Sequence, residues 1–262
     1  MKQQFIFLLG GYDLELLEIK KIAQSVNDIL VFDNHLEWHN ANLSMYHSVL
    51  QKYGNDSQVV IYGIELREDD GLQLPSNYYR IDHHNAYSAN TTSLEQVAVI
   101  LNIELSREQQ LIAANDRGYI PEMQRLGASA EEIRQIRLRD RKAQGVTEED
   151  EQLAAKAIEN RTIEQGVIIV KSETNRFSPI CDQLYPYDKL LIYTHDELMF
   201  YGKGKERLSV CFESEIQAGK MFHGGGVEGY IGAAQGIYLY NEIVSIKDNI
   251  IQLINKYTTY AS

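Results

Sequence analysis

The opening run Phe5-Ile6-Phe7-Leu8-Leu9, closed by Gly10-Gly11, is the feature that most narrows the fold. An uninterrupted apolar run without polar alternation suits a strand covered on both faces, the situation of a strand inside a parallel sheet. Leu14, Leu17, Ile22 and Val26 then fall near helical spacing, and a second apolar run over 29–32 ends at Asp33. A helical stretch over 42–53 precedes the run 59–62, and Tyr78-Tyr79-Arg80-Ile81 forms a further strand that ends at Asp82. Strand and helix alternate, which predicts an α/β chain whose N-terminal part is a mostly parallel sheet with helical cover.

Thr92 with Glu95, and Ser106 with Gln109, have the spacing of capping boxes, so each pair is expected to start a helix. From 131 to 160 the chain is highly charged and helical in pattern, with a break at Gly145 and a restart at Thr147. Short apolar runs over 167–170, 190–193, 198–201 and 208–212 read as strands, Ser178-Pro179 as a helix start, and 238–257 as a closing helix. The expected organisation is therefore a domain over 1–145, a helical connector over 146–165, and a smaller α+β domain over 166–262.

A formal charge of −12 over 262 residues disfavours broad attraction to a phosphate backbone, which depends on many Lys and Arg contacts. Extended nucleic acid is thus an unfavoured partner, and a small phosphorylated substrate suits the chain better. The two cysteines, Cys181 and Cys211, lack metal-ligand spacing and read as reduced thiols, as in the cytoplasm. No run is long enough to span a bilayer. A homodimer is left open.

In an open α/β sheet, ligands bind beyond the carboxyl ends of the strands, where the loops converge. Asp13, Glu65, Asp82 and His83 all fall at or just past such ends. Carboxylates and imidazoles together hold divalent metals, which generate hydroxide from water and stabilise charge on a phosphoryl group. His35 and His39, close to Asp33, have i,i+4 spacing that could present two imidazoles to a metal on one face, with exposure to solvent the stronger expectation. The Gly224-Gly225-Gly226 stretch permits positive φ and close approach to a phosphate, as well as a tight turn. Lys203, Lys205 and Arg207 form a compact basic turn, and Arg134, Arg137, Arg139 and Arg141 mark the charged stretch. Both groups are candidates for phosphate contact, against the commoner reading of a solvated charged face. A dinucleotide fingerprint built on Gly10-Gly11 and Asp33 is a poor match, because only two glycines are present and Asp13 would repel a pyrophosphate.

Ile81-Asp82-His83-His84-Asn85, then Thr91-Thr92-Ser93-Leu94-Glu95, then Ala113-Ala114-Asn115-Asp116-Arg117-Gly118, and finally the triplet Gly224-Gly225-Gly226 resemble, in this order, the DHH phosphoesterase superfamily. The resemblance implies a two-domain hydrolase with a Mn²⁺ or Mg²⁺ centre of up to two ions in its first domain. Metal ligation then falls to Asp13, Glu15, Glu65, His83 and Asp116, catalysis to His83, His84 and Asp116, and an orienting role to Asp82. Phosphate contacts fall to His84 and to Gly224, Gly225 and Gly226, with Lys203, Lys205 and Arg207 beside them. Four positions depart from the superfamily pattern: Leu9 stands where the first motif has a His ligand, Glu15 where it has an Asp, Glu65 is the nearest acid to the Asp missing at the next strand end, and Val227 stands where a His follows the glycines. The implied activity is hydrolysis of a small nucleotide, short oligonucleotide or related phosphate ester. The alternative is a nucleotide-binding or regulatory protein of the same fold that has lost turnover.

Overall fold

The computed structural model describes residues 3–69, 71–226 and 228–258. The chain divides into two units, Met1–Gly145 and Val146–Ser262.

The first unit contains β1 (Gln4–Leu9), α1 (Leu14–Ser25), β2 (Ile29–Phe32), α2 (His47–Tyr53), β3 (Val59–Ile64) and β4 (Tyr78–Ile81). It closes with α3 (Ser93–Leu101), α4 (Arg107–Arg125) and α5 (Ala130–Ala143). Its four strands are all parallel and lie in the order β2-β1-β3-β4. β1 is central, and its Ile6, Phe7 and Leu8 are fully buried, each contributing roughly 1.5–3 kcal/mol of burial. Ile6, Leu8 and Ile61 pack with Leu43, Tyr46, Val49 and Leu50 on one face. The chain leaves β1 for β2 on one side and returns to β3 on the other, so the carboxyl ends of β1 and β3 flank a topological switch point.

Both expected capping boxes form: Thr92 and Ser106 accept the N–H of Glu95 and Gln109, and each of those side chains accepts the N–H of its cap. They place the starts of α3 and α4.

The second unit contains α6 (Glu148–Glu159), β5 (Thr162–Glu164), β6 (Val167–Lys171), α7 (Ser178–Leu184), β7 (Lys189–Tyr193) and β8 (Leu198–Gly202). Then come α8 (Lys205–Cys211), α9 (Glu213–Gln217), β9 (Met221–Gly224), β10 (Tyr230–Ala233) and α10 (Tyr240–Thr258). The sheet is mixed, in the order β5-β6-β7-β8-β10-β9, with β6 and β7 its parallel pair.

Two expectations are corrected here. The stretch 208–212 is helical, within and just past α8, because Leu208 and Phe212 are buried at i,i+4 while Val210 between them is 73% exposed. Alternating Leu208, Val210 and Phe212 also fits a strand period, which is why pattern alone misread it. The segment expected to connect the domains is also more than a connector. Ala154 and Ala157 of α6 are buried with Ile180, Leu190 and Ile192 in the second unit's own core. Among the described residues, no helix is long and apolar enough to cross a membrane.

Candidate metal centre

Because all four strands of the first unit run the same way, the residues that follow β1, β3 and β4 meet at one edge. Asp13 caps α1, its Oδ1 accepting the Leu16 N–H at 2.9 Å, and Glu15 sits in that helix's first turn. Glu65 follows β3 with φ of 53°, a left-handed conformation, while its N–H donates to the Ile81 carbonyl at 2.9 Å. A non-glycine residue held there costs of order 1 kcal/mol or more, so the strand end imposes the direction of the Glu65 carboxylate. A Cβ built on Gly10 would lie 2.4 Å from the Glu65 carbonyl oxygen, so only glycine lets the turn after β1 pass this close. Asp82 and His83 follow β4.

Asp116 comes from α4, two residues before the helix breaks at Gly118 and Tyr119, the latter at φ 61° and ψ −149°. A buried network anchors this helix. Arg137 of α5 donates to Asn115 Oδ1 at 2.9 Å and to Asp140 Oδ2 at 2.7 Å, and Asp140 Oδ1 accepts the Leu14 N–H at 3.3 Å. The first residues of α1 and the Asp116 segment are thereby tied to the same side chains. The sequence reading placed Arg137 among solvated charges and missed this role. Arg134 and Arg139 pair with Glu131 and Glu108.

His83 Nε2 lies 2.6 Å from Asp116 Oδ2, 3.4 Å from Glu15 Oε2 and 3.5 Å from Glu65 Oε1. All four atoms are buried, and none has a hydrogen-bond partner of acceptable geometry. One donor atom each from Glu65, His83, His84 and Asp116 lies within 4.8 Å of the others. Glu15 spends its second oxygen on the Leu94 N–H, at 2.9 Å, which fixes it to the start of α3.

The charges agree with this reading. Burial disfavours charge on His83, but Asp116, Glu15 and Glu65 override it and push the imidazole up to about 12. Burial and the neighbouring Glu65 and Asp116 charges hold the Asp13 carboxyl well above the usual carboxylate range. Burial, reinforced by Asp116 and Glu65, also raises Glu15, to about 8. Without an ion, the protons retained on Asp13, Glu15, His83 and His84 stand in for positive charge that a bound cation would supply in their place. Oxygen donors with one or two imidazoles suit a divalent ion of the Mn²⁺ or Mg²⁺ kind. The donors fit such an ion. Leu9, by contrast, brings an apolar side chain to the end of β1 and no donor.

His84 stands at the rim, its Nε2 3.4 Å from Glu65 Oε2 and its ring 4.1 Å from that of His83. Glu65 raises its pKa. Asp82 does not orient an imidazole: its Oδ1 accepts the backbone N–H of His84 at 2.8 Å, which shapes the loop instead. A cavity of about 380 Å³ opens here, lined by Asp13, Trp38, Glu65, Arg67, His84 and Asn85, among others. Trp38 was not singled out from the sequence, although a lone Trp between two histidines after a strand end was available as a signal.

His35 and His39 are exposed beside Asp33 and Glu37, and Asp33 is held by Lys20 at 2.7 Å. In the second unit, Gly225 and Gly226 both take φ of 70°. Lys205 is buried, and its Nζ donates to the Gly226 carbonyl at 2.8 Å, so it tethers the glycine loop. Lys203 pairs with Asp188 at 2.7 Å, and Arg207 lies in α8. Val227 lies outside the described residues.

Fold and site together define an α/β chain with a buried carboxylate–imidazole centre of the kind that holds divalent cations. Searched against family models and curated proteins, the chain matches none. Among solved structures it is similar to the DHH domain of a protein assigned to a family of ribosomal proteins, with 10% identity over 97% of this chain and 86% of that one, at a TM-score of 0.48. It is also similar to exonuclease RecJ bound to manganese (9% identity, 95% of this chain and 90% of that one, TM-score 0.41). RecJ in complex with Mn²⁺ from Thermus thermophilus is similar too (10% identity, 95% of this chain, TM-score 0.39), and this chain spans 52% of that structure. The site rests on this chain's own side chains.

Proposed function

We propose that the chain is a divergent DHH-type phosphoesterase whose first unit hydrolyses a small nucleotide, short oligonucleotide or related phosphate ester with the help of one divalent cation. The observation that carries this is the convergence of Glu15, Glu65, Asp116 and His83 on one buried space with their donor atoms otherwise unused. Those four residues would hold the ion. When bound, it supplies an activated water and charge stabilisation at phosphorus. His84, at the rim and favoured in its charged form, is placed to donate a hydrogen bond to a phosphoryl oxygen. The strained Glu65 backbone and the Arg137 network keep the donors in place before substrate arrives. Leu9 argues for one ion instead of two, and it favours a second reading: a cation-holding regulatory protein without turnover.

The test is to strip the protein of metal, restore Mn²⁺ and assay di- to pentanucleotides, cyclic dinucleotides, adenosine bisphosphate and polyphosphate. Mn²⁺-dependent hydrolysis is expected on at least one, with His83→Ala and Asp116→Ala at least about 100-fold slower, since removing a ligand exceeds the cost of removing its outer supports. Bound metal without hydrolysis favours the regulatory reading. Neither binding nor hydrolysis overturns both.

A further inference from the structure

We propose that Trp38 is a stacking platform for a nucleobase, so that the ligand at the metal centre carries its base next to the scissile phosphate. This rests on the proposed function and names the substrate class of that site as nucleoside phosphates, not inorganic or sugar phosphates.

Trp38 is the chain's single Trp and is 44% exposed. It lies in a short helical turn, 38–40, after β2, and lines the cavity that also contains Glu65 and His84. Its indole is held on one side. A Cβ built on Gly11 would lie 2.3 Å from the six-membered ring, so the glycine backbone lies against that ring and any side chain at position 11 would displace it. The edge-to-face contact with His84, at 6.3 Å between centroids, sets the indole beside the rim of the metal centre.

The segment that carries Trp38 is tied to the strand end that carries Glu65. Arg67 N–H donates to the Ala41 carbonyl at 2.9 Å, and Leu43 N–H donates to the Arg67 carbonyl at 2.8 Å. Leu36, Ala41 and Leu43 are buried on either side of the exposed indole. A large apolar ring thus remains partly in water at the cavity while its flanks are packed. An inorganic phosphate has no use for such a ring. A base does, because every base offers a π-face, and stacking on an aromatic side chain is sequence-tolerant. Arg67, which also donates to the His39 carbonyl, and Asn85 line the same cavity and provide polar groups for the rest of the nucleotide. A cavity of about 380 Å³ is within the range of small-ligand sites.

Because Trp38 is the sole indole, its emission reports this site directly. The Mg²⁺-loaded protein is titrated with adenosine 5′-monophosphate, a dinucleotide, a tetranucleotide, ribose 5-phosphate and inorganic phosphate. Saturable quenching by the base-bearing ligands alone is expected, and their relative affinities separate a mononucleotide site from one that takes the end of an oligonucleotide. In parallel, kcat/KM is compared for a dinucleotide and its abasic analogue. The parent should prefer the dinucleotide by roughly 5- to 150-fold, Trp38→Phe should keep most of that ratio, and Trp38→Leu should bring it towards unity, with far-UV circular dichroism confirming the fold. Hydrolysis with no response of Trp38 to any nucleotide, or a ratio unchanged in Trp38→Leu, overturns the proposal. Quenching by nucleotides without hydrolysis leaves this inference standing and overturns turnover instead.

Discussion

Glu15 shows how a single side chain divides its work at this site. Its Oε1 holds the start of α3 through the Leu94 N–H, while its Oε2 faces His83 at 3.4 Å with no other partner. In metal-free protein, burial and the neighbouring Asp116 and Glu65 make charge on that carboxyl costly. Glu15→Gln keeps an acceptor for Leu94 and removes the charge. The variant should therefore melt about 2–4 °C higher than the parent without metal, for a gain of about 1 kcal/mol, yet gain less on adding Mn²⁺. Thermal scans with and without the ion check both halves; an unchanged or lower metal-free midpoint contradicts the crowding. At this scale His83 and Glu65 were legible at strand ends by pattern, and Glu15 and Asp116, which lie in α1 and α4, by motif. Trp38 and the Asn115–Arg137–Asp140 network were not. Their contacts come from tertiary approach, through Gly11 and through α5, although a lone Trp between two histidines was a signal for the first.

Among the elements, β1, β3 and β4 could be read from their apolar runs, and α3 and α4 from their capping boxes. α8 could not, since Leu208 and Phe212 satisfy strand and helix periods alike. The hairpin of β7 and β8 carries an element-level prediction. Glu197 sits in its turn, where burial and then the Asp196 charge raise its carboxyl to about 7. A raised carboxyl binds its proton more tightly in the folded state, so its stabilising contribution is complete below about pH 4.5 and is lost as pH rises through about 7. Between pH 5 and pH 8 the parent should lose stability relative to Glu197→Gln, by an amount of order 1 kcal/mol. Urea unfolding at the two pH values measures this. A difference that shrinks as pH rises would contradict the assignment.

Across the whole molecule, the proposed chemistry is confined to the first unit, and the second is built on its own two-sided core. Binding of an ion to the native state stabilises only what the ion holds together, by about 2.7 kcal/mol at one hundred times its Kd. Hydrogen exchange with and without Mn²⁺ should show slower exchange over 9–17, 62–67, 81–86 and 112–118, where the donors sit. Peptides over 189–202, within the second unit's core, should be unchanged. Protection spread evenly over both units would place the ion elsewhere.

In the proposed centre four buried donor atoms hold one cation, and Leu9 supplies no donor for a second. Titration of Mn²⁺ into metal-free protein by calorimetry tests it most directly. One ion per chain is predicted, abolished in His83→Ala and in Asp116→Ala; two ions per chain, or none, would contradict the account.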